Sequence, residues 1–338
     1  VSLSVASHYK NEPNDLCLMA DSPHHRIFCL VAPLQRDNKL NVICYIQVAL
    51  EGNIAKETVS NSFNRGTSPS GDLIAWKVSQ HMNSPEFAQL TGIRIVRIAV
   101  HPQMQGQGYG KRAIEQLLAF YSNPNVITES NAEPTKKSDR ILFKLLNQTP
   151  HEHVHYASVS FGLTEKLFKF WTVNGFSPVY IAKKKTEVTG EHSMFVLRDL
   201  HPNEDQENEE VSWLDSFCLE FRKRFGHLLS YSFQSFSPKL VDMIYKSVEP
   251  RSRCEVDPSA FLDEKDVNRL QTFTKSNTGY GDVEDLMPNL AELYFQRLVK
   301  VKLSRLQQSV LASIGFQHCS LEECAQNHGI EPNQVISN

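Results

Sequence analysis

The feature that most constrains this chain is a strand-like run that leads into a glycine-dense turn and then into a helical pattern, over residues 94–118. The turn reads Gln105, Gly106, Gln107, Gly108, Tyr109, Gly110, Lys111. Glycine lets a backbone approach a ligand closely, because no Cβ intrudes. The first amides of a helix have no partner within it and, with the helix dipole, favour an anion. The segment therefore predicts a phosphate-binding site.

Two common phosphate-binding loops fail on spacing. A Walker A loop requires GxxxxGK followed by Ser or Thr, and a Rossmann turn requires GxGxxG with an acidic residue about twenty positions later. The pattern of GNAT acetyl-coenzyme A loops, Q/R-x-x-G-x-G/A after a strand that ends in V-x-P, is matched by Gln105, Gly108, Gly110, Val100 and Pro102. The same pattern can also be aligned two residues earlier, on Gln103, Gly106 and Gly108, but the upstream spacing favours the first alignment. The remaining alternative is a glycine-rich turn that holds no ligand.

A second segment is similar to the F-Y-x-x-x-G-F unit that follows this loop in GNAT proteins. It is formed by Phe170, Trp171, Gly175 and Phe176. Trp171 stands where many GNAT enzymes have a tyrosine that protonates the leaving thiolate, and an indole N–H is a donor but not a useful acid. The acid is therefore expected elsewhere, or the chain belongs to a specialised branch.

The order of segments predicts an α/β architecture, a mixed central sheet flanked by helices as in the GNAT fold, followed by a mainly α-helical domain. Apolar runs of strand length lie at 42–50, 94–100, 176–182 and 193–198. Helical patterns follow an acidic stretch at 201–210, over 211–230, 237–247, 259–275, 283–314 and 320–327, with Pro288 breaking or starting one of them. We predict a GNAT domain over 1–200 with an insertion at about 122–150, a linker over 201–210, and a helical RNA-binding-like domain over 211–338.

Composition narrows the classes further. The formal net charge of −3 gives no global positive field for nucleic acid, so an RNA site must be a local patch. Seven cysteines without a CxxC pair favour a reducing compartment. No apolar run approaches the roughly 18 residues that a membrane span requires. The first residue is Val1 within an apolar stretch, which suggests a piece of a longer protein.

Six blocks together resemble the RNA cytidine acetyltransferases, which make N4-acetylcytidine, and their details favour the eukaryotic branch. The blocks are SHYKNEPNDL (7–16), SGDLIAW (70–76), VRIAVHPQMQGQGYGKRA (96–113), SVSFGLTEKLFKFW (158–171), TGEHS (189–193) and LLSYSFQSFSP (228–238). The resemblance implies acetyl-coenzyme A as cofactor, and a helicase-like ATPase module that precedes these blocks and uses ATP and Mg²⁺. It also implies 18S rRNA and tRNA as substrates, with an adaptor protein or guide RNA, a role in small-subunit maturation, a nucleolar location, and a homodimer as one assembly.

The same resemblance assigns cofactor contacts. It implies that Ile98, Ala99 and Val100 offer backbone groups to the pantetheine arm, and that residues 105–111 hold the phosphates. Family members often carry an arginine near the cofactor at the position of Val173, so this chain lacks that ionic contact.

The cytosine N4 amine is a poor nucleophile, so it needs a base for its proton and a stabiliser for the developing oxyanion. His8 is the predicted base, because it lies in the first block of the resemblance and an imidazole titrates near neutrality. From the residues alone, a His-Tyr pair is more often structural. Tyr9 would donate to the thiolate or orient that base, and the Val100 N–H would bind the thioester oxygen. Glu191, beside His192, is a second and weaker candidate. The alternative is that neither is catalytic, with Glu191 a turn residue and His192 the first residue of a strand.

Basic residues supply the candidate RNA contacts. They are Arg97, Arg112, Arg222, Lys223 and Arg224, with Lys300, Lys302 and Arg305 as a further stripe. Phe221 and Phe225 flank the run 222–224, and basic residues beside aromatic ones suit a nucleic-acid surface. The alternative is a solvated helix face over a core stripe, which has the same composition.

We predict no metal site. His151, His153 and His155 alternate without a completing carboxylate or thiolate, and the spacing of Cys319, Cys324 and His328 fits no common zinc pattern. Two other functions remain open: a GNAT enzyme that acts on protein or small-molecule amines, and a non-catalytic RNA or assembly module.

Overall fold

The computed structural model describes residues 21–33, 41–55, 57–59, 73–122, 152–202, 212–248, 261–275 and 278–337, together with a few isolated positions. The strands are β1 (His25–Val31), β2 (Val42–Gly52), β3 (Thr91–Val100), β4 (Tyr156–Gly162), β5 (Ser177–Lys185) and β6 (His192–Asp199). The helices are α1 (Leu73–Met82), α2 (Tyr109–Ser122), α3 (Glu165–Val173), α4 (Trp213–Leu229), α5 (Pro238–Ser247), α6 (Glu264–Thr274), α7 (Met287–Phe295), α8 (Arg305–Gly315), α9 (Leu321–His328) and α10 (Pro332–Ser337).

The six strands form one mixed sheet in the order β1-β2-β3-β4-β6-β5. The pairs β1–β2 and β2–β3 are antiparallel, whereas β3 and β4 run parallel. The predicted mixed α/β architecture with a helical continuation is confirmed.

Contacts divide the chain into two compact units. One comprises Val1–Phe161, Phe170–Phe176 and Met194–Glu210, and the other comprises Gly162–Lys169, Ser177–Ser193 and Val211–Asn338. The predicted linker falls mainly on residues outside the described ranges, as does most of the predicted insertion, so both boundaries stay predictions.

The core of the first unit follows from two sequence patterns. Residues 44–49 of β2 are all buried, as expected for an interior strand covered on both faces. Helix α2 buries the side chains that recur at helical spacing, Ile114, Leu117, Leu118 and Tyr121. At one end of this helix, Phe120 and Tyr121 pack edge-on against Phe28 of β1.

The core of the second unit is aromatic. Phe225 lies with ring centroids 5.8 Å from Phe221, 6.1 Å from Phe233 and 5.4 Å from Tyr245. Tyr245 in turn contacts Phe295 at 4.4 Å. These rings belong to α4, α5, α7 and the turn at 230–236, so they join elements that are distant in sequence.

The predicted helical stretch over 283–314 is wrong in its continuity. Pro288 lies in the first turn of α7, where its missing N–H costs nothing. Helix α7 ends at Phe295, and Arg297 adopts a left-handed φ of 60°. A new helix then begins after Ser304, which forms a capping box with Gln307.

Candidate functional site

The glycine-dense turn connects the end of β3 to the start of α2. Gly106 and Gly108 have φ values of 75° and 87°, a region that L side chains disfavour. The first bond of the helix runs from the Arg112 N–H to the Gly108 carbonyl at 3.0 Å. The amides of Tyr109, Gly110 and Lys111 therefore have no acceptor inside the helix. The predicted strand–loop–helix geometry is confirmed.

Two glutamine side chains hold this loop in shape. Gln105 Nε2 donates to the Val100 carbonyl at 3.1 Å, and Gln107 Nε2 donates to the Gln103 carbonyl at 3.0 Å. Around Gly106 and Gly108, a Cβ would find no atom within 4 Å. The loop backbone thus borders open space, with its conformation fixed from the protein side.

Strands β3 and β4 separate beside this loop. Their parallel register starts at Gly92↔Tyr156 and its last pair is Ile95↔Val159. Beyond that pair β3 continues to Val100. All residues of β3 and β4 are described, and over this last stretch β3 pairs with β2 but not with β4. The ladder therefore opens into a gap whose β3 side leads to the glycine turn.

Backbone alternation decides which groups face the gap. The His101 N–H donates to the Ile43 carbonyl at 2.8 Å, on the β2 side. Peptide groups alternate along a strand, so the N–H groups of Ile98 and Val100 point the other way, into the gap. The prediction for Ala99 needs correction: its peptide groups face β2, where Ala99 pairs with Tyr45, so it offers nothing to a ligand in the gap.

The aromatic unit at 170–176 is mainly structural. Trp171 is 3% exposed, with its ring 4.9 Å from Phe170 and 5.3 Å from Phe176. It cannot serve as a proton donor to a ligand from that interior position. Phe170 lies against the loop, since a Cβ on Gly110 would sit 3.7 Å from its ring.

Helix α3 ends beside an arginine that the sequence analysis missed. Val173 is 59% exposed and brings no charge. Gly175, with φ 81°, follows the end of the helix. Arg198 of β6 donates from Nη1 to the Asn174 carbonyl at 2.5 Å, and burial lowers the pKa of its guanidinium. A cation at this position satisfies the helix C-terminus.

Glu191 lies in the turn between β5 and β6. A Cβ on Gly162 would overlap its carboxylate, so the carboxylate lies over the backbone at the end of β4. Its carbonyl accepts from the Thr186 N–H at 2.8 Å. The neighbouring His192 is buried, with Nδ1 2.9 Å from the Ala182 carbonyl and its ring against Phe233. His192 is therefore a core residue, whereas the Glu191 carboxylate lies over the end of β4.

His8 and Tyr9, the predicted base and its neighbour, lie outside the described residues. Their roles stay predictions.

The basic candidates differ sharply in exposure. Arg112 is exposed and 3.5 Å from Glu115, and Lys223 is exposed. Arg224 forms an ion pair with Glu220 at 2.6 Å, and Arg97 is partly buried on β3.

Arg222 corrects a prediction, because it is 7% exposed. Its guanidinium donates to the carbonyls of Phe295, Tyr245 (2.7 Å) and Val248 (3.3 Å) and lies over the Tyr245 ring. Burial lowers its pKa to about 10. The Nε and Nη1 donors therefore point into the protein, and the side chain is buried, so Arg222 is a structural residue.

The histidine and cysteine groups form no metal cluster within the described ranges. His155 Nδ1 lies 3.1 Å from the Thr91 N–H, and the His153 ring stacks on His201. Burial raises the pKa of the Cys319 and Cys324 thiols. His151 lies outside the described residues. In the same ranges, none of the helices has the length and apolar character needed to cross a bilayer.

Comparison with known proteins identifies the family to which the chain belongs. The family model described as GNAT acetyltransferase 2 matches residues 1–140 and 123–201, and one described as "Possible tRNA binding domain" matches 213–338. Proteins named RNA cytidine acetyltransferase are 38% identical over 367 residues in Mus musculus, 36% over 381 in Saccharomyces cerevisiae and 34% over 388 in Dictyostelium discoideum. These alignments cover 99–100% of this chain but only 35–37% of each relative.

Among solved structures, Drosophila melanogaster polyamine N-acetyltransferase is 9% identical, with a TM-score of 0.33 over 57% of this chain and 85% of that one. The family model covers well over half of the sequence, including the glycine turn and the strands that open beside it. The chain therefore belongs to the GNAT acetyltransferase 2 family and has the GNAT fold.

Proposed function

We propose that this chain is the acetyl-transferring part of an RNA cytidine acetyltransferase, which moves acetyl from acetyl-coenzyme A to the N4 amine of cytidine. The observation that carries the proposal is the glycine turn at 105–111, whose helix amides border open space beside the gap between β3 and β4. The named relatives supply the acceptor, because nothing in the loop selects one amine over another.

The described residues fit acetyl-coenzyme A. The amides from Gly106 to Lys111 would hold the diphosphate, where the dipole of α2 favours negative charge. The Ile98 N–H would bind the amide-containing pantetheine arm, as a strand edge binds another strand, which leaves the Val100 N–H for the thioester oxygen. When bound, this cofactor supplies the acetyl group as a thioester.

The chain's own residues then manage protons and charge. His8 would accept the proton of the N4 amine, and Tyr9 would donate to the departing sulfur or orient His8. The Val100 N–H would stabilise the oxyanion, because it points into the gap. Glu191 remains a second candidate base, because its carboxylate lies at the end of β4.

We assign RNA contact to those basic candidates that are exposed or partly exposed. Lys223 and Arg224 lie in the segment that matches the tRNA-binding model, and Arg112 is exposed on the first turn of α2. Arg97 remains a candidate on β3. Arg222 is left out because its guanidinium is buried.

The finer assignments rest on the family resemblance. We propose that the longer protein couples acetylation to ATP hydrolysis in a preceding Mg²⁺-dependent module. We further propose that it modifies 18S rRNA and tRNA, with an adaptor protein or guide RNA, during small-subunit maturation in the nucleolus. A homodimer is the assembly we would test first.

The intact enzyme, supplied with ATP and acetyl-coenzyme A, is expected to form N4-acetylcytidine in cytidine-rich RNA. Mass spectrometry of the digested nucleosides measures it. Peptides with free amines, offered at the same concentration, serve as the competing acceptor. Acetylated peptide with unmodified RNA would favour the protein-amine alternative, and no product on either would favour a non-catalytic module.

Replacing His8 by alanine in the intact enzyme is expected to slow RNA acetylation about 100-fold, the usual scale for losing a positioned general base. Affinity for acetyl-coenzyme A should not change, because the base touches the acceptor. His24→Ala, an exposed histidine ahead of β1, is the matched control. A normal rate in H8A would make the choice of base wrong and would direct the same test to Glu191→Gln.

A further inference from the structure

Three polar side chains meet across β2, β3 and β4 in the first unit, two of them buried and one partly exposed. Ser158 is fully buried, and its hydroxyl lies 2.8 Å from Glu51 Oε1 and 3.2 Å from the Ile93 carbonyl. Arg94 Nε lies 3.3 Å from Glu51 Oε2. The Glu51 side chain is 1% exposed and that of Arg94 is 21% exposed. We call Glu51, Arg94 and Ser158 the three-strand cluster.

The local sequence makes this reach across β3 feasible. Glu51 pairs with Gly92 of β3, a position with no side chain on that face. The Tyr156 ring of β4 occupies the space over Gly92, since a Cβ there would overlap it. With no β3 side chain at position 92, the Glu51 carboxylate of β2 can accept from the Ser158 hydroxyl of β4.

The cluster lies where the parallel ladder ends. Arg94 pairs with Ser158, and the next pair, Ile95↔Val159, is the last before β3 and β4 separate. Parallel pairing is slightly weaker per residue than antiparallel pairing, and this ladder is short. A slip of one residue would turn every side chain of β4 to the other face of the sheet.

Buried ion pairs are costly to desolvate, and setting a register is the best-attested reason for keeping one. We propose that the three-strand cluster is a positioning device that fixes the point where β3 and β4 separate, and so sets the width of the gap that receives the pantetheine arm. The inference rests on the proposed function. Its members act through the strands and touch no cofactor atom.

The test is Ser158→Ala, with binding of coenzyme A and acetyl-coenzyme A to the 338-residue chain measured by calorimetry. The dissociation constant is expected to rise about five- to twentyfold. This is roughly the effect of losing one well-placed hydrogen bond, because without it the gap would no longer be held at the width that the pantetheine arm requires. In the intact enzyme, KM for acetyl-coenzyme A should rise by a similar factor while kcat changes less than twofold. Ser158→Thr, which retains the hydroxyl, should restore affinity to within about twofold.

Ser79→Ala is the matched control. Ser79 of α1 is also fully buried, and its hydroxyl has no hydrogen-bond partner among the described residues, so S79A removes a buried hydroxyl without touching the ladder. Wild-type affinity in folded S158A, or equal weakening in S79A and S158A, would overturn the inference. If S158A does not fold, Ser158→Cys keeps the volume, weakens the donor and is scored by the same criteria. A wild-type chain that binds no coenzyme A would instead contradict the proposed function.

Discussion

Replacing Gly108 by valine is expected to abolish binding of acetyl-coenzyme A, with affinity falling at least about a thousandfold, since two or more amide contacts to the diphosphate are lost. Gly108 has a φ of 87°, which a β-branched residue adopts only as an outlier. The new side chain would also enter the open space over the loop that the diphosphate requires. Backbone strain and steric exclusion therefore act in the same direction.

Calorimetric titration with coenzyme A measures the effect, and Gly329→Val controls for strain. Gly329 has a φ of 65° at the end of α9, and a Cβ there would also meet nothing within 4 Å. Both variants should lose about 1–2 kcal/mol of stability, the usual cost of the left-handed region for a residue with a Cβ. Only G108V should lose ligand. Binding by G108V within tenfold of wild type would refute the loop's role.

The loop could be predicted from the sequence because its determinants are local. Glycines at 106 and 108 allow the left-handed turn, and the helix that starts at Tyr109 exposes its own amides. The gap beside it could not be predicted in the same way. It depends on where a parallel ladder ends between residues such as Ile95 and Val159, which are far apart in the chain.

For the helix over 283–314 and for Arg222, the sequence itself contains a pattern that predicts the observed structure. The helical stretch over 283–314 contains Ser304 and Gln307 at capping-box spacing, which marks a new helix start. Arg222 lies three, four and seven residues before Phe225, Gly226 and Leu229, all buried on α4. That periodicity places position 222 on the inner face. The neighbouring Lys223 lies on the outer face with His227.

Replacing Arg222 by methionine should destabilise the second unit by about 3–5 kcal/mol, because several buried carbonyls would lose their donor at a cost of about 1–3 kcal/mol each. Methionine fills a similar length but leaves the carbonyls of Phe295, Tyr245 and Val248 without the donor that now satisfies them. These carbonyls tie α4 to the ends of α5 and α7, so the loss affects three helices. Chemical denaturation followed by circular dichroism measures the change.

Lys223→Met separates the structural role from an RNA role. Lys223 is exposed on the same turn of α4, so its loss should alter stability by no more than about 0.5 kcal/mol. The same variant should weaken RNA binding and reduce its salt dependence, since an exposed cation releases counterions from phosphate. Folded R222M should bind RNA as wild type does, because the Arg222 side chain of the wild-type protein is buried and bonded to backbone carbonyls. If the free energy of unfolding of R222M changes by less than about 1 kcal/mol, those carbonyls find other donors and the structural role is wrong. If folded R222M binds RNA more weakly than K223M does, Arg222 contacts RNA after all.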